Sequence, residues 1–183
     1  MQFSDISVLI TYPNAVIKRA ATMRTLVILL SLLPFAAHTE SMIGRVVNIV
    51  DGDTLTLADA SNQLHRIRLL GIDAPELTQD FGQRTRTALS ALAFNQQATA
   101  DCRTMDQRLH KLCVVSVGGQ DVGLEQIRAG MAWWDKQYNA QQSANERADY
   151  EQAEFMAKIH RTGLWNSKNP TPPWEWRHGR PDE

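Results

Sequence analysis

Three short runs after residue 43 read as strands: "GRVVNIV" (44–50) and "DTLTLAD" (53–59) are rich in strand-forming residues, and "LHRIRLL" (64–70) alternates charged and apolar positions. A period of two buries one face of a strand. The joints between the runs, around Gly52 and at "SNQ" (61–63), carry turn residues. The three runs therefore predict a meander. After Pro75 the period lengthens. In "ELTQDFGQRTRTALSALAFNQQA" (76–98), Leu77, Phe81, Ala88, Leu89, Leu92 and Ala93 return near one side of a helix. Two further strands are expected around "TADCR" (99–103) and "LCVVSV" (112–117), with "GGQD" as the turn after the second. "VGLEQIRAGMAWW" (122–134) predicts a second helix. "NERADYEQAEFMAKIHR" (145–161) predicts a third, ended by Gly163 as a left-handed cap. The proline-rich "NPTPPWEWRHGRPDE" (169–183) is expected to be an extended tail pinned to the body by its tryptophans.

This order predicts an α+β chain: a five-stranded OB-type β-barrel with three α-helices. Such barrels commonly present one face to oligonucleotides. The expected divisions are an N-terminal extension and signal over 1–39, the barrel domain over 40–167, and a Pro/Trp-rich tail over 168–183.

The start of the chain has its own pattern. Lys18, Arg19 and Arg24 precede the uncharged "TLVILLSLLPFAA", and small residues follow in "HTESM". A basic segment, a short apolar core and small residues make a secretory signal, too short for a span of about 20 residues. The protein is expected to be exported, periplasmic or secreted, with no stable membrane association once the signal is removed. Met23 offers a second start, so residues 1–22 are set apart from the signal proper. Without residues 1–37 the chain keeps 16 basic and 19 acidic side chains, a net charge of about −3. No global positive field gathers nucleic acid, and a polyanion must be held by local arginines or a cation.

Cys102 and Cys113 are the two cysteines. An even pair in an exported chain argues for a disulfide across a hairpin, against the alternative of two small apolar residues in neighbouring strands. Closing a loop of this size contributes about 3 kcal/mol in the chain-entropy model.

The charged residues inside the third strand carry the chemistry. "RIRLLGIDAPE" (66–76) keeps Arg68, Asp73 and Glu76 within an apolar run, and "VDGDT" (50–54) adds Asp51 and Asp53 on the neighbouring strand. Simple alternation places Arg68 and Asp73 on opposite faces, so Gly71 is expected to supply the twist that joins them. Crowded carboxylates repel one another and demand a counter-charge. Oxygen donors without His or Cys point to a hard cation such as Ca²⁺ or Mg²⁺ and exclude zinc. An EF-hand is excluded because a strand follows "DGDT". A cation, an arginine for growing phosphate charge and a glutamate base toward water suit phosphoryl chemistry.

"VDGDTLTL", "RLLGIDAPE", "DVGLEQIRAGMAWW" and "RTGLWNSKNPTPPWEWR" together resemble the thermonuclease family, typified by staphylococcal nuclease, in unbroken order over 43–177. The resemblance implies a Ca²⁺-dependent phosphodiesterase that cleaves DNA and RNA to leave 3′-phosphates. It implies Asp53 and Asp73 as carboxylate ligands of calcium. Ala74, where the family usually has Thr, would serve through its backbone carbonyl. It implies Arg68 as the first catalytic arginine and Glu76 as the general base.

The family's next motif, Asp-x-Tyr-Gly-Arg-x-Leu, is changed here to "DQRLHKL" (106–112). His110 falls at the second catalytic arginine and Arg108 at the phosphate-holding tyrosine. His110 is a phosphate ligand, a proton donor to the leaving oxygen, or a surface histidine; Arg108, on the same strand face, is a nucleic-acid contact that could substitute. The expectation is a monomeric nuclease acting on DNA or RNA, with reduced activity. The alternative is a catalytically impaired OB module that binds nucleic acid or protein.

Overall fold

The computed structural model describes residues 40–179. The expected export signal lies outside the described residues. Strands β1 (Glu40–Ile49), β2 (Thr54–Asp59) and β3 (Leu64–Leu69) form the expected antiparallel meander, with Val46 opposite Leu57 and Leu57 opposite His65. The free edge of β1 takes β5 (Gln97–Met105), and β5 takes β6 (Lys111–Val117), both antiparallel. β6 then returns parallel to β3, with Leu112 opposite Arg68, and this contact closes the five long strands into a barrel. Three two-residue strands trim it: β4 (Ile72–Asp73), β7 (Gln120–Asp121) and β8 (Trp133–Trp134).

The inward positions of the alternating runs make the core. Val46, Leu55, Leu57, Ile67, Leu69, Ala100 and Val115 are all buried. Each full-sized aliphatic among them contributes about 1.5–3 kcal/mol over its exposed state. Helix α1 (Gly82–Ala93) covers the barrel with Leu89, and α2 (Val122–Arg128) with Ile127. Helix α3 (Ala144–Ile159) packs on α2, where the Tyr150 hydroxyl donates to Asp121 Oδ2 at 2.8 Å. Asp121 in turn caps α2 by accepting from the Gly123 and Leu124 amides. Cys102 and Cys113 lie directly opposite each other on β5 and β6, and their sulfurs are bonded.

The helices differ from the expected limits, and the tail from its expected form. The first helix begins at Gly82 rather than residue 76, because Gln79 N donates to Glu76 O and Gly82 N to Gln79 O, spending those residues on two successive turns. The second helix stops at Arg128; Trp133 and Trp134 leave it to pair, as β8, with Asp73 and Ile72 of β4. The third ends at Ile159 with His160 as its cap, and Arg161 takes a left-handed φ of 52° ahead of Gly163. The tail is not wholly extended. Residues Pro173–His178 form a short helix, α4, with Pro173 at its first position, a place where the missing amide of proline is harmless.

Candidate active site

The site lies where the β1–β2 loop meets the β3–β4 turn. Asp53 is held there from three directions. Its amide donates to Asp51 Oδ1 (3.0 Å), its Oδ1 accepts from Thr54 Oγ1 (2.9 Å), and its Oδ2 accepts from the Ala74 amide (2.9 Å). The loop beneath it is clamped by Gln126, fully buried on α2, whose Nε2 donates to Gly52 O (2.9 Å) and Thr85 O (3.0 Å). Only glycine fits at position 52, since a Cβ there would lie 2.3 Å from Thr85 Oγ1 and 2.6 Å from the Ala74 methyl.

Gly71 provides the expected twist. Its φ of +78° turns the chain between β3 and β4, a conformation that side chains disfavour. The turn brings Arg68 Nη2 to 3.2 Å from Asp73 Oδ1, while Arg68 Nε stands 3.8 Å from Asp53 Oδ1. Asp73 is fixed in turn by β8, where it pairs with Trp133. Asp53 and Asp73 are both buried, whereas the Glu76 side chain is 40% exposed at the mouth.

The electrostatics follow from that burial. Desolvation, aided by Asp51 and Asp73, pushes the Asp53 carboxyl up from 3.8 to about 7, although Arg68 and the Ala74 amide oppose the shift. Asp135, whose amide donates to Gly71 O, is also raised by desolvation, with the Asp73 charge adding to it. Buried negative charge is thus in excess around Arg68.

This chemistry fits a hard divalent cation, because the donors are all oxygen and the Asp53 carboxylate is destabilised by burial and like charge. Asp53, Asp73 and the Ala74 carbonyl are the groups that would hold it. Among the described residues no group of three or more His, Cys, Asp or Glu is gathered for a metal. The remaining positions around such an ion would be filled by water, as hard cations permit.

Sequence reasoning missed one member of the cluster. Arg177, from α4, donates from Nη1 to Asp73 Oδ1 (3.1 Å) and Glu76 Oε1 (2.8 Å), and from Nη2 to Asp73 Oδ2 (2.7 Å). It lies 104 residues from Asp73. The "WEWR" text signalled anchoring tryptophans but not an arginine aimed at the site. Trp174 does anchor the tail, meeting Trp133 edge-on at 6.3 Å between ring centroids.

His110 and Arg108 are placed differently. The turn 106–110 is built on Asp106, whose Oδ1 accepts from the Arg108 and His110 amides and whose Oδ2 meets His110 Nδ1 at 3.0 Å. Among the described residues no hydrogen bond or ion pair joins His110 or Arg108 to Arg68, Asp73 or Glu76. Tyr138 lies within the field of both groups: burial raises its hydroxyl, and the charges of Arg68, Asp135, Asp106 and Asp73 act on it.

A family model and several known proteins match this chain. Residues 66–167 match the family model described as staphylococcal nuclease homologue. An uncharacterized endonuclease of Haemophilus influenzae is 35% identical over 161 residues, covering 88% of this chain and 86% of the relative. A protein named micrococcal nuclease from Shigella flexneri is 36% identical over 143 residues, 73% of this chain and 79% of its own. An uncharacterized endonuclease of Escherichia coli O157:H7 is 35% identical over 136 residues, 74% of this chain and 84% of its own.

Proposed function

The chain belongs to the staphylococcal nuclease family, and from that premise we propose an exported, calcium-dependent nuclease that leaves 3′-phosphate ends on DNA or RNA. It is a hydrolase of phosphodiester bonds. The observation that carries the finer reading is the buried Asp53–Asp73 pair beside Arg68. Nothing in the barrel's packing requires two desolvated acids there, and a carboxyl held at about 7 is a standing penalty that a cation relieves.

Glu76 is the base. It is exposed enough to meet water yet stands beside the Arg68–Asp73 pair. It takes a proton from a water whose oxygen forms the new bond to phosphorus, in line with the departing O5′. The P–O5′ bond breaks, and the leaving oxygen takes a proton from solvent. Arg68 faces the equatorial phosphate oxygens and stabilises the charge that grows on them. A bound cation supplies further charge neutralisation and orientation of the phosphate. The test is cleavage of plasmid DNA by the purified protein with Ca²⁺, Mg²⁺ or EDTA. Cutting with Ca²⁺ that EDTA abolishes is expected. Undiminished cutting in EDTA would remove the metal from the reading. End-labelled products bearing 5′-phosphates would overturn the bond assigned to break.

A further inference from the structure

The tail arginine reaches the site from α4, near the end of the described chain. Its contacts are unusual in what they occupy. All three hydrogen bonds of Arg177 go to groups that the reaction needs free: both oxygens of Asp73 and one oxygen of Glu76. A carboxylate held end-on by a guanidinium has no oxygen to give a cation, and an ion-paired glutamate is a weaker base. The arrangement seen here and a working site are therefore two positions of the same side chain.

The anchoring permits this movement. The backbone of the tail is tied down by Gln79 Nε2, which donates to Thr171 O at 2.5 Å, by buried Pro173, and by Trp174 on Trp133. The Arg177 side chain is 38% exposed, and among the described residues its guanidinium bonds only to Asp73 and Glu76. Its pivot is fixed, while its head borders solvent and is held only by carboxylates of the site. Once positive charge is bound by Asp73, the attraction holding Arg177 there becomes repulsion. The next anion within reach is the substrate phosphate. Arg68 and Arg177 already converge on one atom, Asp73 Oδ1, so they approach the mouth as a pair. A planar guanidinium fork matches two phosphate oxygens. His110 cannot play this part while its ring faces Asp106.

We propose that Arg177 is a catalytic residue of this nuclease: its guanidinium leaves Asp73 and Glu76 and binds the scissile phosphate alongside Arg68. The proposal rests on the phosphodiesterase reading above. It assigns the C-terminal helix a role in the reaction rather than in packing alone.

The experiment compares the wild type, Arg177→Ala and Arg177→Lys of the full chain. Three quantities are read: kcat on plasmid DNA with Ca²⁺, Ca²⁺ affinity by calorimetry, and affinity for a phosphorothioate-linked dinucleotide in Ca²⁺. For Arg177→Ala, kcat is expected to fall about 10²-fold and dinucleotide affinity about tenfold, with Ca²⁺ affinity unchanged or tighter. Arg177→Lys should recover part of both losses. An Arg177→Ala enzyme as fast as the wild type, or faster, would make the contact a latch and overturn the proposal. Unchanged dinucleotide affinity in both variants would reduce Arg177 to a structural tie. If the alanine variant does not fold, the lysine variant decides alone, since it keeps the charge but loses the fork. A wild type that cuts nothing would sink the phosphodiesterase reading, while the dinucleotide titration would still judge Arg177.

Discussion

Two clusters among the described residues set arginine against more than one carboxylate, and they come out with opposite electrostatics. On β5, Arg103 donates to both oxygens of Glu146 (2.7 and 2.8 Å), to Asp101 Oδ2 (2.9 and 3.1 Å) and to Gln141 O (2.8 Å). Glu146 also accepts from the Ser143 amide in a capping box at the start of α3. The hydrogen bonds from Arg103 pull the Glu146 carboxyl down to about 2. At the barrel mouth, burial and like charge instead raise Asp53 to about 7. In the first cluster each Arg103 donor finds an acceptor and Glu146 is stabilised, although Asp101 Oδ1 is left without a partner. The second is built with surplus negative charge, and so has a standing demand for something positive from outside. Residue types alone do not tell a structural tie from a functional site; the direction of the carboxylate shift separates these two clusters, although Asp121, a structural cap of α2, is raised by burial as well.

The widest separation between the two regions should appear in activity. Glu76→Gln keeps the shape of the mouth and is expected to lower plasmid cleavage about 10³-fold, with thermal unfolding unchanged. A variant retaining most of its activity would dismiss Glu76 as the base.

The pH response should be the next largest contrast, because the two groups act in opposite directions. Asp53, raised in the fold, contributes stability that is full below about pH 4 and is lost as pH climbs toward 7. Glu146, lowered in the fold, contributes stability present above its usual value of 4.5 and lost as pH falls through about 2. Melting curves of metal-free protein from pH 4 to 7 should therefore show a decline that Asp53→Asn flattens. An unchanged slope in that variant would assign the decline elsewhere.

A smaller effect is expected at the Arg103 cluster. Arg103→Ala should reduce stability in urea by about 1–2 kcal/mol, discounted for solvent screening, and leave turnover per folded molecule unaltered. Loss of turnover would couple that cluster to the site. The smallest effect is expected from His110→Arg. With the ring already committed to Asp106, turnover should move by no more than about twofold. A gain of tenfold or more would show that the second guanidinium is missing and would speak against Arg177.

The sequence alone determined the five barrel strands, the barrel class and most of the acid cluster. Strand periodicity is local, each inward position of the meander being set two residues from the last, so "DTLTLAD" and "LHRIRLL" announce their own faces. The spacing of Arg68, Asp73 and Glu76, with Gly71 between them, places three charges within one turn of chain and was legible for that reason. Helix limits were less so, because pairing elsewhere claimed the residues: Trp133 and Trp134 continue a helical pattern, yet their backbone is taken by Ile72 and Asp73. Nor did the 106–112 motif show that Asp106 would hold His110. Arg177 was illegible altogether. It meets Asp73 and Glu76 across more than 100 residues of chain, through a helix docked by tryptophan contacts. Only folding brings such distant segments together, since no local period records what a tail will touch once the barrel has closed.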